Sequence, residues 1–147
     1  CVSATAKKND IELIAVVMAA PDYKARFVDA VTLLNYGYSV SSLYHDENTE
    51  KLPQMKVEGG VADTVELAFE KPFTWLDTKG SDLSLVEKSL SLPEEAQAPL
   101  EAGQKAGEAV YRLNGETLGT VNVVYAESVA AAGFRDYLKK VLAYFLL

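Results

Sequence analysis

Residues 11–37 read IELIAVVMAAPDYKARFVDAVTLLNYG, and this stretch decides the class of fold. Ile11, Leu13 and Ala15 alternate with their neighbours, after which Val16, Val17 and Met18 run on without a polar residue. That is the pattern of a strand buried on both faces. Pro21-Asp22 breaks the run. Asp22 is placed to cap a helix, because its carboxylate accepts a hydrogen bond from an otherwise unpaired N–H of the first turn. At about 100° per residue, Tyr23, Phe27, Ala30, Val31 and Leu34 share one arc of that helix. Gly37 is placed to close it with a left-handed residue.

Working outward, residues 1–8 (CVSATAKK) predict a second strand, joined to the first at Asn9-Asp10 as a β-hairpin over residues 1–19. After the helix, Tyr38–Tyr44 alternates and reads as a strand or extended connection. Residues 45–51 (HDENTEK) are polar throughout and mark the expected domain boundary. Beyond it come short β segments separated by turn residues: Leu52–Val57, Thr64–Phe69, Phe73–Leu76 and Leu83–Leu92. Ala109–Leu113 and Thr117–Tyr125 then flank Asn114-Gly115, the strongest short hairpin signal in the chain. Short strands at this spacing, with no helical pattern between them, predict a small antiparallel sandwich. Residues 134–147 (FRDYLKKVLAYFLL) return to helical periodicity. Phe134, Tyr137, Leu138, Val141, Leu142, Tyr144 and Phe145 fall on one side, and Arg135, Asp136, Lys139 and Lys140 on the other. As a helix this segment spans only about 21 Å, too short to cross a bilayer and suited to lying in a membrane interface.

A net charge of −7 and a pI near 4.7 argue against nucleic acid as a partner, because no basic stripe is present to displace counterions. The acidity is local: Asp46 to Glu70 holds seven acids against Lys51 and Lys56. A single cysteine, Cys1, excludes an internal disulfide and any cysteine-rich metal site, and a single histidine, His45, argues against a His-based triad. The chain opens mid-pattern on a strand residue, with neither an initiator Met nor a signal peptide, and so reads as a fragment.

Cys1–Ala6, Asn9-Asp10, Leu13–Ala19, Pro21-Asp22, Lys24, Arg26-Phe27 and Leu33–Gly37 together resemble the end of the catalytic domain of serine-type D-alanyl-D-alanine carboxypeptidases, the low-molecular-mass penicillin-binding proteins. The remainder is similar in pattern to the β-rich domain that follows in such enzymes. The family's catalysis rests on Ser-x-x-Lys, a Ser-x-Asn-type triplet and Lys-Thr-Gly, and none of these occurs here. Ser84 and Lys88 are one residue too far apart, and Thr78-Lys79-Gly80 has the right letters in the wrong order. No nucleophile and base are paired by motif, so this chain alone is expected to be inactive.

The resemblance implies a role for Arg26. The family has an arginine in the Lys-x-Arg step opening this helix, implicated in holding the substrate's terminal carboxylate. A guanidinium suits that task by donating two parallel hydrogen bonds. The competing reading is a structural salt bridge to a neighbouring acid, since a bare cation on an apolar arc is costly. Of the other residues, Cys1 reads as a half-buried strand residue, His45 as solvated and Trp75 as part of the sandwich core. Glu94-Glu95 reads as a turn, and the Lys139-Lys140 pair as a contact with anionic lipid.

The expected architecture is mainly β. A partial α/β layer, a hairpin plus helix, occupies residues 1–44, followed by a linker at 45–51. A β-sandwich at 52–129 and a C-terminal amphipathic anchor helix at 130–147 complete it. The expected function, by resemblance, is that of the C-terminal portion of a carboxypeptidase that trims the terminal D-Ala of peptidoglycan stem peptides through an acyl-serine and is trapped by β-lactams. No metal or organic cofactor is implied. The expected location is extracytoplasmic, at the cell surface and peripheral to the bacterial cytoplasmic membrane. The uncovered side of the hairpin and helix leaves room for a homodimer. The alternative is a non-enzymatic surface interaction module that keeps the hairpin and helix for packing alone.

Overall fold

The computed structural model describes residues 1–145, so the expectation for Leu146 and Leu147 lies outside the described residues. In chain order the elements are β1 (Val2–Lys8), β2 (Ile11–Val17), α1 (Tyr23–Val40), β3 (Ser42–Asp46), β4 (Met55–Glu58), β5 (Thr64–Val65), β6 (Leu67–Phe69) and β7 (Phe73–Asp77). A 3₁₀ turn at Leu83–Leu85 precedes β8 (Glu87–Ser91), β9 (Glu95–Gln97), β10 (Lys105–Leu113), β11 (Glu116–Tyr125) and α2 (Phe134–Phe145). The chain divides into two units: residues 1–45 with 74–84, and residues 46–73 with the chain from 85 onward.

In the first unit, β1 and β2 form an antiparallel hairpin with Val2 opposite Val17 and Lys8 opposite Ile11. Asn9 and Asp10 both take positive φ, 51° and 60°, as a two-residue turn matched to strand twist demands. Asp22 caps α1 as expected, its Oδ1 accepting from the N–H groups of Lys24 (2.7 Å) and Ala25 (2.8 Å). The helix does not end at Gly37. It runs to Val40, and the extended Ser41 (φ −105°, ψ 134°) terminates it.

The face that α1 turns inward also differs from expectation. Ala30 is only 2% exposed and Arg26, Leu34 and Gly37 are half-buried, whereas Tyr23, Phe27 and Val31 are exposed. The reason is close approach. A Cβ on Gly37 would lie 2.7 Å from Leu13 Cδ1, so the helix settles on its small residues and turns its large ones away. The hairpin is likewise covered on one face only. Ile11, Ala15 and Val17 are buried, but Ile14, Val16 and Met18 are exposed, so β2 is not the doubly buried strand its sequence predicts. β3 pairs with β7 in a separate two-stranded sheet.

The second unit is a sandwich of a four-stranded sheet, ordered β6-β11-β10-β8, and a three-stranded sheet, ordered β5-β4-β9. All the ladders of the first sheet are antiparallel; in the second, β4 and β9 run parallel, an exception to the antiparallel expectation. Asn114 (φ 50°) and Gly115 (φ 83°) make the tight turn between β10 and β11 that their sequence predicts. Between the sheets lie Leu52, Met55, Val57, Val65, Leu67, Ala96, Leu100, Val123, Tyr125 and Val129. Instead of one long strand, 83–92 forms the 3₁₀ turn and then β8.

Along β10 the inward residues are Ala106, Ala109, Tyr111 and Leu113, a sequence that skips a place because the register shifts between Lys105 and Gly107. Such a bulge re-aims the side chains that follow it. A Cβ on Gly107 would stand 2.4 Å from the Ser91 carbonyl oxygen, a backbone atom that cannot swing aside. Gly107→Val is therefore expected to lower stability by about 1–3 kcal/mol. The effect should appear as a lower urea midpoint with an unchanged slope; a midpoint equal to that of the parent chain would contradict the packing described.

Candidate functional site

Arg26 follows the Asp22 cap by one turn and sits on the inward side of α1. Its guanidinium carbon lies 4.4 Å from the centre of the Tyr23 ring and 5.5 Å from that of Phe27, within cation–π range of both. The two rings meet edge to face at 5.2 Å. The Arg26 Nε is buried without a hydrogen-bond partner, and no carboxylate pairs with this cation among the described residues. Among the described residues, the salt bridge of the competing structural reading is not formed. The contacts that the side chain makes are aromatic.

The hairpin and helix enclose an open groove of about 410 Å³ lined by Val16, Val17, Met18, Asp29, Thr32 and Leu33. The groove is mostly apolar and carries no nucleophile paired with a base. Among the described residues there is no cluster of metal-ligating side chains.

The near-miss motifs have structural roles. The Ser84 hydroxyl donates to the Asp82 carboxylate at 2.6 Å. Thr78-Lys79-Gly80 forms a loop over Asp77, which is 1% exposed and accepts from the N–H groups of Lys79 (3.2 Å) and Ser81 (2.6 Å) and from the Ser81 hydroxyl (3.1 Å). His45 Nδ1 is 3.1 Å from Thr74 Oγ1. Cys1 is exposed and Trp75 half-buried. Glu95 belongs to β9 and pairs with Lys56 at 2.5 Å rather than with Glu94. Of the lysine pair in α2, Lys139 is exposed, but Lys140 bonds the Gly60 carbonyl at 3.2 Å and pairs with Asp63.

The second unit holds one concentration of charge that sequence reasoning misses. Lys88 Nζ donates to Asp46 Oδ2 (3.0 Å), to Asn48 Oδ1 (2.5 Å) and to Glu50, and lies 4.1 Å from the centre of the Phe69 ring. The fully buried Tyr111 directs its hydroxyl at the same Asp46 and Asn48 oxygens, at 3.0 and 2.6 Å. Its ring stacks on Phe73 at 3.9 Å. Burial disfavours the charge on Asp46, but the Asn48 N–H, Lys88 and the Tyr111 hydroxyl outweigh it and hold the carboxyl below its usual range. Burial likewise opposes the charge on Lys88, and Glu50 and Asp46 overcome it, keeping the ammonium above its ordinary value. The only sequence signal is Lys88 between Leu85 and Leu90, in a register that sets it opposite Tyr111. These groups are satisfied by one another, so the cluster stabilises the fold and offers nothing to a substrate.

Residues 38–131 match the family described as penicillin-binding protein 5, C-terminal domain. Over 145 residues the chain is 31% identical to D-alanyl-D-alanine carboxypeptidase DacF of Bacillus subtilis (strain 168), an alignment covering 97% of this chain and 37% of that protein. It is 28% identical to D-alanyl-D-alanine carboxypeptidase DacA of Haemophilus influenzae, covering 90% of this chain and 34% of the relative. The chain therefore spans little more than a third of the length of the curated relatives it matches. Among solved structures it resembles penicillin binding protein 5 from Haemophilus influenzae, with a TM-score of 0.67 and 29% identity over 88% of this chain and 38% of that one. The carboxypeptidase DacD from Francisella tularensis shares the fold at a TM-score of 0.55 and 16% identity, over 89% of this chain and 33% of that one.

The charge cluster makes stability depend on pH in a defined direction. Asp46 has its folded value lowered from the ordinary 3.8, so its contribution is present above that pH and is lost as pH falls through the lowered value. Lys88 has its value raised from 10.5, so its contribution is complete at neutral pH and disappears only in strong alkali. Lys88→Met is expected to cost about 1–2 kcal/mol at pH 7, less than breaking a fully enclosed pair because water reaches the rim of the cluster. Asp46→Asn should flatten the loss of stability between about pH 4 and pH 2. Urea titrations at pH 7 test the first and titrations across the acid range the second; equal acid slopes for Asp46→Asn and the parent chain would remove Asp46 from the account.

Proposed function

Because the chain belongs to the penicillin-binding protein 5 C-terminal-domain family, we propose that it serves as the C-terminal portion of a serine-type D-alanyl-D-alanine carboxypeptidase of the cell wall. The observation that carries this reading is the extent of the likeness to DacF. The alignment takes in 97% of the chain, so it includes the hairpin and α1 as well as the sandwich. The length shared with the relatives, 37% and 34% of each, fits a part of such an enzyme rather than the whole.

In the intact enzyme the serine, supplied by sequence outside this chain, attacks the carbonyl of the penultimate D-Ala of a peptidoglycan stem peptide. The terminal D-Ala leaves, water hydrolyses the acyl-enzyme, and a β-lactam arrests the enzyme at the acyl stage. Arg26 receives the terminal carboxylate through two parallel N–H···O bonds. Its support is the unpaired Nε and the absence of a competing carboxylate among the described residues. No metal or organic cofactor has a part in this scheme. The sandwich is a spacer or docking module, and α2 meets the surface of the cytoplasmic membrane from the extracytoplasmic side. Among the described residues no helix is long and apolar enough to cross a membrane, while the apolar residues of α2 are exposed.

Arg26→Ala in the intact enzyme is expected to lower kcat/KM for a D-Ala-D-Ala peptide by about ten- to a hundredfold, the loss of a hydrogen bond to a charged group. Arg26→Lys should recover little, since a point charge does not reproduce the fork. Thermal stability should be unchanged. Normal turnover, or an unfolded variant, would assign Arg26 to structure instead. The 147-residue chain by itself should take up no labelled penicillin; covalent labelling of any Ser or Thr in it would overturn the proposed division of labour.

A further inference from the structure

The charged side chains of α2 do not share one environment. The segment leading into the helix is laid along a loop of the sandwich: Val61 N–H donates to the Ala130 carbonyl at 3.0 Å, and Ala132 N–H donates to the Gly59 carbonyl at 2.7 Å. Gly60 bridges Ala131 between these bonds. The loop leaves no slack. A Cβ on Gly60 would meet Val57 Cγ1 at 2.8 Å, and both the Ala62 carbonyl and Val129 Cγ1 at 2.9 Å. One turn and a half into the helix, Lys140 reaches back to the Gly60 carbonyl at 3.2 Å and to the Asp63 carboxylate. Asp136, half-buried, accepts from Gly133 N–H at 3.0 Å. Arg135 and Lys139 are exposed and have no ion-pair partner among the described residues.

At about 100° per residue, Lys140 lies on one flank of the apolar arc, next to Tyr137 and Tyr144. Arg135 and Lys139 lie on the other flank, next to Leu138 and Leu142. The arc between them is centred on Phe134, which is 83% exposed. One flank is thus neutralised and tied to the sandwich, while the other presents two unpaired cations beside exposed apolar side chains.

We propose that residues 59–63 are a cradle that fixes the roll of α2, with Lys140 an internal clamp and Arg135 and Lys139 the cations that meet the headgroups of an anionic lipid surface. This rests on the membrane-surface reading above and adds to it a division of roles among the charges. An anionic surface is the occupant that satisfies both features of the free flank, since cations beside an apolar arc match phosphate above acyl chain. Lys140 is a positioning residue: its charge is already matched by Asp63, so it contributes little to attraction.

The test uses the whole chain with phosphatidylserine–phosphatidylcholine vesicles, together with amide hydrogen exchange. Arg135→Gln and Lys139→Gln should each weaken vesicle partitioning by about fivefold, the effect of one cation near an anionic surface. Lys140→Gln should change it by less than about twofold, but should speed exchange at the Val61 and Ala132 amides. Asp63→Asn should reproduce that faster exchange without weakening partitioning. If Lys140→Gln weakens partitioning as much as Lys139→Gln, Lys140 is a lipid contact and the proposal fails. If Val61 and Ala132 exchange as fast as open amides in the unaltered chain, the cradle does not hold. Failure of the unaltered chain to bind any vesicle would overturn the lipid assignment and the reading beneath it, while slow exchange at Val61 and Ala132 would still support the cradle. Self-association abolished by Phe134→Ser would assign the arc to a second copy and overturn the lipid occupant.

Discussion

The sandwich depends on one buried polar constraint. Tyr111 stands towards the end of β10 with no exposed surface, and its buried hydroxyl must find acceptors. Asp46 and Asn48 supply them, and Lys88, opposite Tyr111 on β8, supplies the charge that makes an acidic acceptor tolerable there. The Phe73 ring covers the other side of the phenol. The members depend on one another: without Lys88 the partly buried Asp46 carboxylate loses its cation, and without Asp46 the ammonium keeps only Glu50 as a counter-charge. Specificity follows from the same requirement, because a shift of β8 by one place along β10 would move Lys88 to the opposite face of the sheet.

The first unit solves a different problem, with small residues. Ala30 and Gly37 let α1 approach the hairpin closely, with Gly37 against Leu13, and most of the larger apolar side chains of the helix face away. Those side chains are displaced outward, and Ile14, Val16, Met18, Val28 and Val31 are exposed on the hairpin and helix. Apolar exposure of this kind is the mark of a surface that has a partner. It agrees with the proposal that this unit is one layer of a larger domain.

Much of this was legible in the sequence where the deciding chemistry is local. Asn9-Asp10 and Asn114-Gly115 need positive φ and take it; Asp22 has an N–H two and three residues ahead and caps it. The absence of Ser-x-x-Lys and Lys-Thr-Gly is a matter of letters alone. What was not legible depends on partners far along the chain. A helical wheel takes Tyr23, Phe27, Ala30, Val31 and Leu34 together, but of these only Ala30 and Leu34 turn inward, because the helix approaches Leu13 closely on its small residues. The parallel pairing of β4 with β9 has no signal in either short strand. Lys88 reads as a solvated strand residue until Tyr111, Asp46 and Asn48 are brought to it from three separate segments. Lys140 looked the equal of Lys139 because their difference lies in Gly60 and Asp63, some eighty residues earlier in the chain.

The order in which the chain visits its units bears on how the protein is taken apart. It passes from one to the other at 45/46, returns at 73/74 to lay β7 beside β3, and leaves again at 84/85. Excising the sandwich at residue 46 would therefore carry β7 along without its pairing partner and expose a strand edge whose N–H and C=O groups have lost their ladder. Such a piece invites strand exchange between molecules, and its precipitation would be a consequence of where it was cut, not of any weakness in the sandwich core. Nicking by a protease in the polar stretch after His45 would cut through the residues that satisfy Tyr111 and Lys88.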